Sequence, residues 1–288
     1  MMLKKAYVEI TNVCNLSCSF CPKTKRDPKF ISLDEFRNVA EKLKGNVEYL
    51  YLHLMGEPTI HPNLREILSI AGDLGFKIII TTNGTTLART GDVLIESDGV
   101  YKISISIHSF EANFDKEDKA LEEYLSDCFE FAARAAQTGK ICVFRLWNLD
   151  GDNTIGQNEL NSLILDQMRH RFGDAWADTR SGKRISNKIF IEYGEKFEWP
   201  DPENDGKIGT EDLFCHGLRD QIGILSNGTV VPCCLDSEGT VSLGNIFEST
   251  FDEILSSPEA VRFYDSFTKR KSPTALCSNC GYARRFSR

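Results

Sequence analysis

Short apolar runs alternate with amphipathic helical patterns along the first part of the chain. Strand-like runs fall at 6–10, 48–55, 76–82, 100–107, 141–147 and 189–193. Between them, apolar residues recur at helical spacing. Ser32 and Glu35 form a capping-box pair that opens the first helix. Pro62 suits the start of a second, whose apolar positions Leu64, Ile67, Leu68 and Ala71 run toward Gly75. Stretches 87–97, 119–138 and 158–172 complete a set of five. Strands alternating with helices predict parallel βαβ units and an α/β class.

The strands have unlike faces, because successive side chains point to opposite sides. In the second run Leu50, Leu52 and Leu54 share one face, and Tyr49, Tyr51, His53 and Met55 the other. In the fourth, Ile103, Ile105 and Ile107 alternate with Ser104, Ser106 and His108. The apolar faces suit packing against helices. The polar faces suit either a ligand or hydroxyls satisfied by the backbone.

Chain length and charge narrow the picture. The 288 residues allow one large or two ordinary domains. A net charge of −8 gives no general attraction for nucleic acid. The local basic runs Lys269–Lys271 and Arg284–Arg288 leave RNA open as a partner. No run reaches the roughly 18 apolar residues of a membrane helix, and Lys4-Lys5 precedes no apolar signal core. A cytoplasmic protein is expected. Ten cysteines in a reducing compartment then read as metal ligands before disulfides.

Three of these, Cys14, Cys18 and Cys21, form a C-x3-C-x2-C loop just after the first strand. Cysteine thiolates hold iron–sulfur clusters, and three ligands leave one position open for a small molecule. This loop, with Phe20 before its third cysteine, resembles that of the radical S-adenosylmethionine (SAM) enzymes. The resemblance implies a partial (β/α)6 TIM-like barrel with the loop at the carboxyl ends of its strands, where barrel active sites lie. It also implies a [4Fe-4S] cluster that binds SAM and cleaves it reductively to a 5′-deoxyadenosyl radical.

The same resemblance extends along the chain. Met55-Gly56-Glu57-Pro58 is similar to the family's Gly-Gly-Glu-Pro segment, with Met55 a departure, and implies contacts from Gly56 and Glu57 to the SAM amino group. Thr81-Thr82-Asn83-Gly84-Thr85 resembles the family's Thr-Asn-Gly-Thr turn, which brings in Asn83. Ser104 and Ser106 stand where the family touches the SAM ribose or carboxylate, with Ser106 favoured. Arg145, in an apolar strand, needs a partner if buried. The SAM carboxylate and a structural glutamate are the two options.

After Pro200–Gly206 the pattern changes, which divides the chain into a barrel unit, 1–200, and a small α+β cysteine-rich unit, 201–288. Asn227-Gly228 between short apolar runs predicts a hairpin. Cys215, Cys233, Cys277 and Cys280 make a closed four-sulfur set for [4Fe-4S] or zinc. Gly228–Cys233 and Leu243–Ile246 resemble the C-terminal domain of SPASM and twitch radical SAM enzymes. That resemblance implies one auxiliary [4Fe-4S] cluster. Of the neighbours Cys233 and Cys234, the Gly-x4-Cys spacing selects Cys233. Cys128 and Cys142 read as buried small apolar residues, and 150–185 matches nothing.

The expectation is therefore a radical SAM oxidoreductase carrying out a two-electron oxidation of a small alcohol, such as a cyclitol, or of a peptide. Its electrons would come from a reductant such as flavodoxin or ferredoxin. His53, Tyr193, Glu195 and Asp236 are candidate proton acceptors. A protein- or RNA-modifying enzyme is the alternative within the class. A non-enzymatic iron–sulfur electron carrier or metal-binding module is the alternative outside it.

Overall fold

Five parallel strands follow the sequence pattern in order: β1 (Lys5–Val8), β2 (Tyr49–Tyr51), β3 (Lys77–Thr82), β4 (Val100–Ile105) and β5 (Ile141–Leu149). The connecting helices are α1 (Leu33–Leu43), α2 (Leu64–Asp73), α3 (Leu87–Glu96), α4 (Asp118–Gln137) and α5 (Asn161–Phe172). An antiparallel hairpin, β6 (Ala177–Thr179) and β7 (Gly182–Ser186), then leads into β8 (Ile189–Glu195). That strand lies parallel to β5 and is the sixth of the barrel set. The computed structural model describes residues 3–114, 118–151, 154–203 and 212–286. The expected boundary residues 204–206, and Ser287 and Arg288 of the basic tail, lie outside the described residues.

The start of α1 is the one the sequence encodes, whereas α2 begins at Leu64, two residues past Pro62, and α5 at Asn161, later than the expected 158. Ser32 and Glu35 close the capping box on α1. The apolar strand faces do pack outward: Leu50, Leu52, Ile103 and Ile105 are fully buried in one core with Phe36 and Leu43 of α1 and Ile67 and Leu68 of α2. Each such side chain contributes roughly 1.5–3 kcal/mol of burial. Cys128 and Cys142 are fully buried in that core, as expected.

Two strands stop earlier than the apolar pattern suggests. β2 ends at Tyr51, because the residues after Leu52 leave the ladder to make the Gly56-Glu57 turn. β4 ends at Ile105, and Ile107–Ser109 tightens into a 3-10 turn. The unmatched stretch holds the β6–β7 hairpin, whose exposed polar strands carry no apolar alternation to betray them.

The hairpin at Asn227-Gly228 forms as expected, between β9 (Gln221–Ile224) and β10 (Thr229–Val231), with β11 (Gly244–Asn245) beside it. It does not stand apart, however. β9 pairs in parallel with β1, so one eleven-stranded sheet runs β11-β10-β9-β1-β2-β3-β4-β5-β8-β7-β6. The chain then adds α6 (Phe251–Leu255), α7 (Pro258–Thr268) and α8 (Ala275–Ser278). No helix among the described residues is long and apolar enough to cross a membrane.

Candidate active site

The C-x3-C-x2-C loop leaves β1 and returns through a bridge between Thr11 and Phe30. Its three thiols are neighbours. Burial raises the pKa of each, Cys14 to about 11, and the other loop thiols raise Cys14 and Cys18 further. Donors point at the sulfurs: the Asn113 amide lies 3.0 Å from Cys18 Sγ and the Leu16 N–H 3.4 Å from Cys14 Sγ. Sulfurs gathered on one loop and met by N–H groups fit an anionic cluster. Asn113 was not singled out in the sequence, since no local pattern marks it. Phe20 reaches across to stack on His108, 4.9 Å between ring centres.

The backbone around Gly56 itself demands a glycine. Its φ of +73° and the space around it both require glycine, for a Cβ would stand 2.3 Å from the Thr11 carbonyl oxygen and 2.8 Å from that of Val13. The Glu57 N–H donates to Val13 O at 2.9 Å. The segment therefore clamps the backbone that leads into the cysteine loop. The Glu57 carboxylate is buried and accepts from Thr59 N–H, Thr59 O–H and Asn83 N–H. Asn83 in turn donates to Asn15 at 2.9 Å and approaches Cys14 Sγ at 3.9 Å. Gly56→Ala is expected to displace this clamp and lower the iron bound at the loop while leaving the fold intact. Iron content with circular dichroism checks it, and full loading in the variant would refute the clamp.

The polar strand faces meet in a cavity of about 600 Å³. Tyr7, Tyr51, His53, Thr81, Ser106, His108, Arg145 and Trp147 line it from the barrel strands and their ends, and Phe20 from the cysteine loop. Ser104 lies one layer deeper, fully buried, with its hydroxyl unpartnered. Arg145 has the glutamate that the sequence offered as an option: Glu192, its register partner on β8, stands 3.5 Å away. Its guanidinium also bonds Thr81 at 3.2 Å and stacks on Trp147 at 4.5 Å.

Cys215, Cys233, Cys277 and Cys280 line the same cavity from the other side, and so does Cys234. Burial raises all five thiols, and repulsion from neighbouring thiols adds to it at Cys233, Cys234, Cys277 and Cys280. Cys234 is set against Tyr7 and Lys5 of β1, while Cys233 faces Cys215 and Cys277. Among the described residues no three His, Cys, Asp or Glu side chains converge as a single metal ion requires.

Of the proposed proton acceptors, His53 lines the cavity and the other three do not. Asp236 is spent on structure, accepting from Thr240 N–H and Val241 N–H at 2.8 Å each. Burial, helped by Arg145, pushes His53 down to about 3, and burial pushes His108 down to about 4. Both are neutral when folded, while an unfolded histidine titrates near 6.5. Protonation therefore favours unfolding. The stability from these residues is complete above about pH 6.5 and is lost as pH falls toward the folded values. A His53→Gln, His108→Gln variant is expected to lose less melting temperature between neutral and mildly acidic pH than the parent. An equal loss would refute this origin.

A family model described as "Radical SAM superfamily" matches residues 8–155, just over half of the chain. The chain belongs to the radical SAM superfamily. A second model, described as an iron-sulfur cluster-binding domain and named SPASM, matches residues 215–281 and so spans all five C-terminal cysteines. Together these domains carry a SAM-binding [4Fe-4S] cluster and an auxiliary cluster. Among curated radical SAM relatives, the chain is 24% identical to the antilisterial bacteriocin subtilosin biosynthesis protein AlbA of Bacillus subtilis (strain 168). That match covers 96% of this chain and 66% of AlbA, so the chain spans less than two thirds of its relative's length. Among solved structures, BtrN in complex with AdoMet and 2-DOIA aligns with a TM-score of 0.55 at 16% identity, over 97% of this chain and 93% of BtrN. Streptococcus suis SuiB bound to precursor peptide SuiA aligns at 0.57 and 16% identity, over 100% of this chain and 73% of SuiB. These likenesses establish the radical SAM fold.

Proposed function

We propose that the chain is a radical SAM oxidoreductase that oxidises a substrate held between two iron–sulfur clusters. One observation carries this reading: Phe20 of the three-cysteine loop and the four auxiliary cysteines open onto a single cavity. Cys14, Cys18 and Cys21 would hold the SAM cluster, and Phe20, Gly56, Glu57, Asn83 and Ser106, with Ser104 behind, would border SAM. Cys215, Cys233, Cys277 and Cys280 would hold the auxiliary cluster. When bound, the first cluster with SAM supplies a hydrogen-abstracting radical and the second a place for one electron.

The chain's own residues do the rest. The aromatic wall of Tyr7, Tyr51 and Trp147 excludes water, and among the candidate proton acceptors His53 is the one on the wall. A volume of about 600 Å³ suits one small molecule or one residue of a peptide. A cyclitol-type alcohol and a peptide side chain are the two substrates this supports, with BtrN and SuiB as the respective parallels. In this reading residues 1–200 generate the radical and 201–288 complete the oxidation, with electrons from a flavodoxin or ferredoxin.

The RNA reading rests on the basic tail, of which Arg285 is engaged by the neighbouring aromatic rings of Phe197 and Tyr282. Anaerobic reconstitution with iron, sulfide, dithionite and SAM tests the proposal. 5′-Deoxyadenosine is the expected product, and an electron carrier would form none.

A further inference from the structure

The cavity wall carries buried hydrogen-bonding groups that no protein atom satisfies. Trp147 Nε1 and His53 Nδ1 are buried without a hydrogen-bond partner, while Arg145 Nε faces the Glu192 carboxylate at 3.5 Å. Leaving such groups unpaired is costly, so two of them on one cavity wall mark a ligand position. Arg145 and Trp147 can only donate. The Arg145 guanidinium lies over the Trp147 ring, 4.5 Å from its centre. Glu192 fixes the guanidinium from behind and is not part of the cavity wall.

The charges on this wall are unevenly spoken for. Lys5 sits over Tyr7 and Tyr51 and lowers the Cys215 and Cys234 thiols, so its charge answers the auxiliary sulfurs. Lys196 pairs with Asp150 at 3.3 Å. Glu198 is the acidic wall residue, and its backbone is bonded to Gly281 beside the auxiliary cysteines. Arg145, with Glu192 against its Nε and Thr81 on one Nη, presents the remaining side of its guanidinium as the cationic handle on the barrel side. Its charge acts on His53, Tyr7, Tyr51 and Tyr282, and is not among the main influences on Glu57 or the loop cysteines.

We infer that Arg145, Trp147 and His53 form a carboxylate-recognition site, so that the substrate is an organic acid or a peptide presenting a carboxylate. This rests on the oxidoreductase reading of the same cavity and assigns Arg145 to substrate instead of to the SAM carboxylate. Arg145 receives the carboxylate through its guanidinium edge, where charge-assisted and bidentate bonds are strongest. Trp147 N–H supplies a second donor, and the aromatic wall takes the apolar part of the molecule.

The test uses the reconstituted, SAM-loaded protein and anaerobic titration calorimetry. The probes are phenylacetate and phenylacetamide for a small acid, and N-acetylphenylalanine and its amide for a chain-terminal carboxylate. At least one acid is expected to bind about tenfold or more tightly than its amide, the scale of a charge-assisted bond. Which pair shows the larger ratio distinguishes the two sources. Arg145→Gln should abolish the ratio, and Trp147→Phe, which removes only the N–H and part of the ring, should reduce it.

Equal binding of acids and amides, a preference that survives Arg145→Gln, or no binding by either acid would overturn the inference. So would finding that SAM-free protein binds the acids and SAM displaces them, for Arg145 would then serve SAM. 5′-Deoxyadenosine is measured alongside. Cleavage without acid preference sinks this inference alone, and acid preference without cleavage sinks the oxidoreductase reading alone.

Discussion

Cys21→Ala is expected to form no 5′-deoxyadenosine above background and to hold about four irons per chain in place of about eight. The auxiliary sulfurs reside on other elements, so the variant should keep its second cluster. Cys280→Ala gives the complementary result: iron falls by the same amount, but SAM cleavage by reduced protein continues while substrate oxidation stops. The contrast is the informative part, since one variant removes the radical and the other the electron acceptor. Product analysis and iron counting on both variants check it. Undiminished 5′-deoxyadenosine from Cys21→Ala would refute the assignment of the open site.

Arg26→Ala is expected to have the largest effect on stability. Glu9 is fully buried on the segment leaving β1, and Arg26 meets it with two parallel bonds of 2.8 and 2.7 Å. The same carboxylate accepts from Met55 N–H at 3.3 Å, Ser226 N–H at 3.1 Å and Ser226 O–H at 3.0 Å. One side chain thus ties together the cysteine loop, the Gly56-Glu57 clamp and the auxiliary hairpin. Removing Arg26 strands a buried charge, which costs about 3–5 kcal/mol. Replacing both partners, as Glu9→Met with Arg26→Met, should recover much of that loss, because two apolar side chains leave no charge behind. Anaerobic unfolding of the three proteins measures it, and a loss below about 1 kcal/mol for Arg26→Ala would place the pair among ordinary surface ion pairs.

The network explains why the two cysteine sets keep a fixed relation. Arg26 also donates to the Ser237 carbonyl at 2.8 Å, and the Lys25 N–H to Glu238 at 3.2 Å. The loop that holds one cluster is therefore fastened to the unit that holds the other.

Much of this was legible locally. The cysteine spacing, the Ser32–Glu35 capping box, the Asn227-Gly228 turn and the alternation of Ser104 and Ser106 with isoleucine are short-range patterns, and the structure displays each as local geometry. The partners are another matter. Arg145 announced itself as a charge in an apolar strand, but Glu192 was selected by the register between β5 and β8. Asn113, Trp147 and Glu9 matter because of what lies across from them, and no residue nearby in sequence says so. Gly56 shows the same division: its motif was readable, yet the need for glycine comes from Thr11 and Val13.

Taken by itself, the sequence determined the two cysteine sets and their spacing, the strand–helix order and the polar strand faces, since these follow from spacing and side-chain alternation along one segment. Only the tertiary structure decided that the second cysteine unit joins the barrel sheet through β9 and β1, and that Phe20 of the cysteine loop and the C-terminal cysteines border one cavity. It also decided which buried donors there lack a partner. These depend on distances between residues far apart in the chain, and such distances are set by packing and strand pairing.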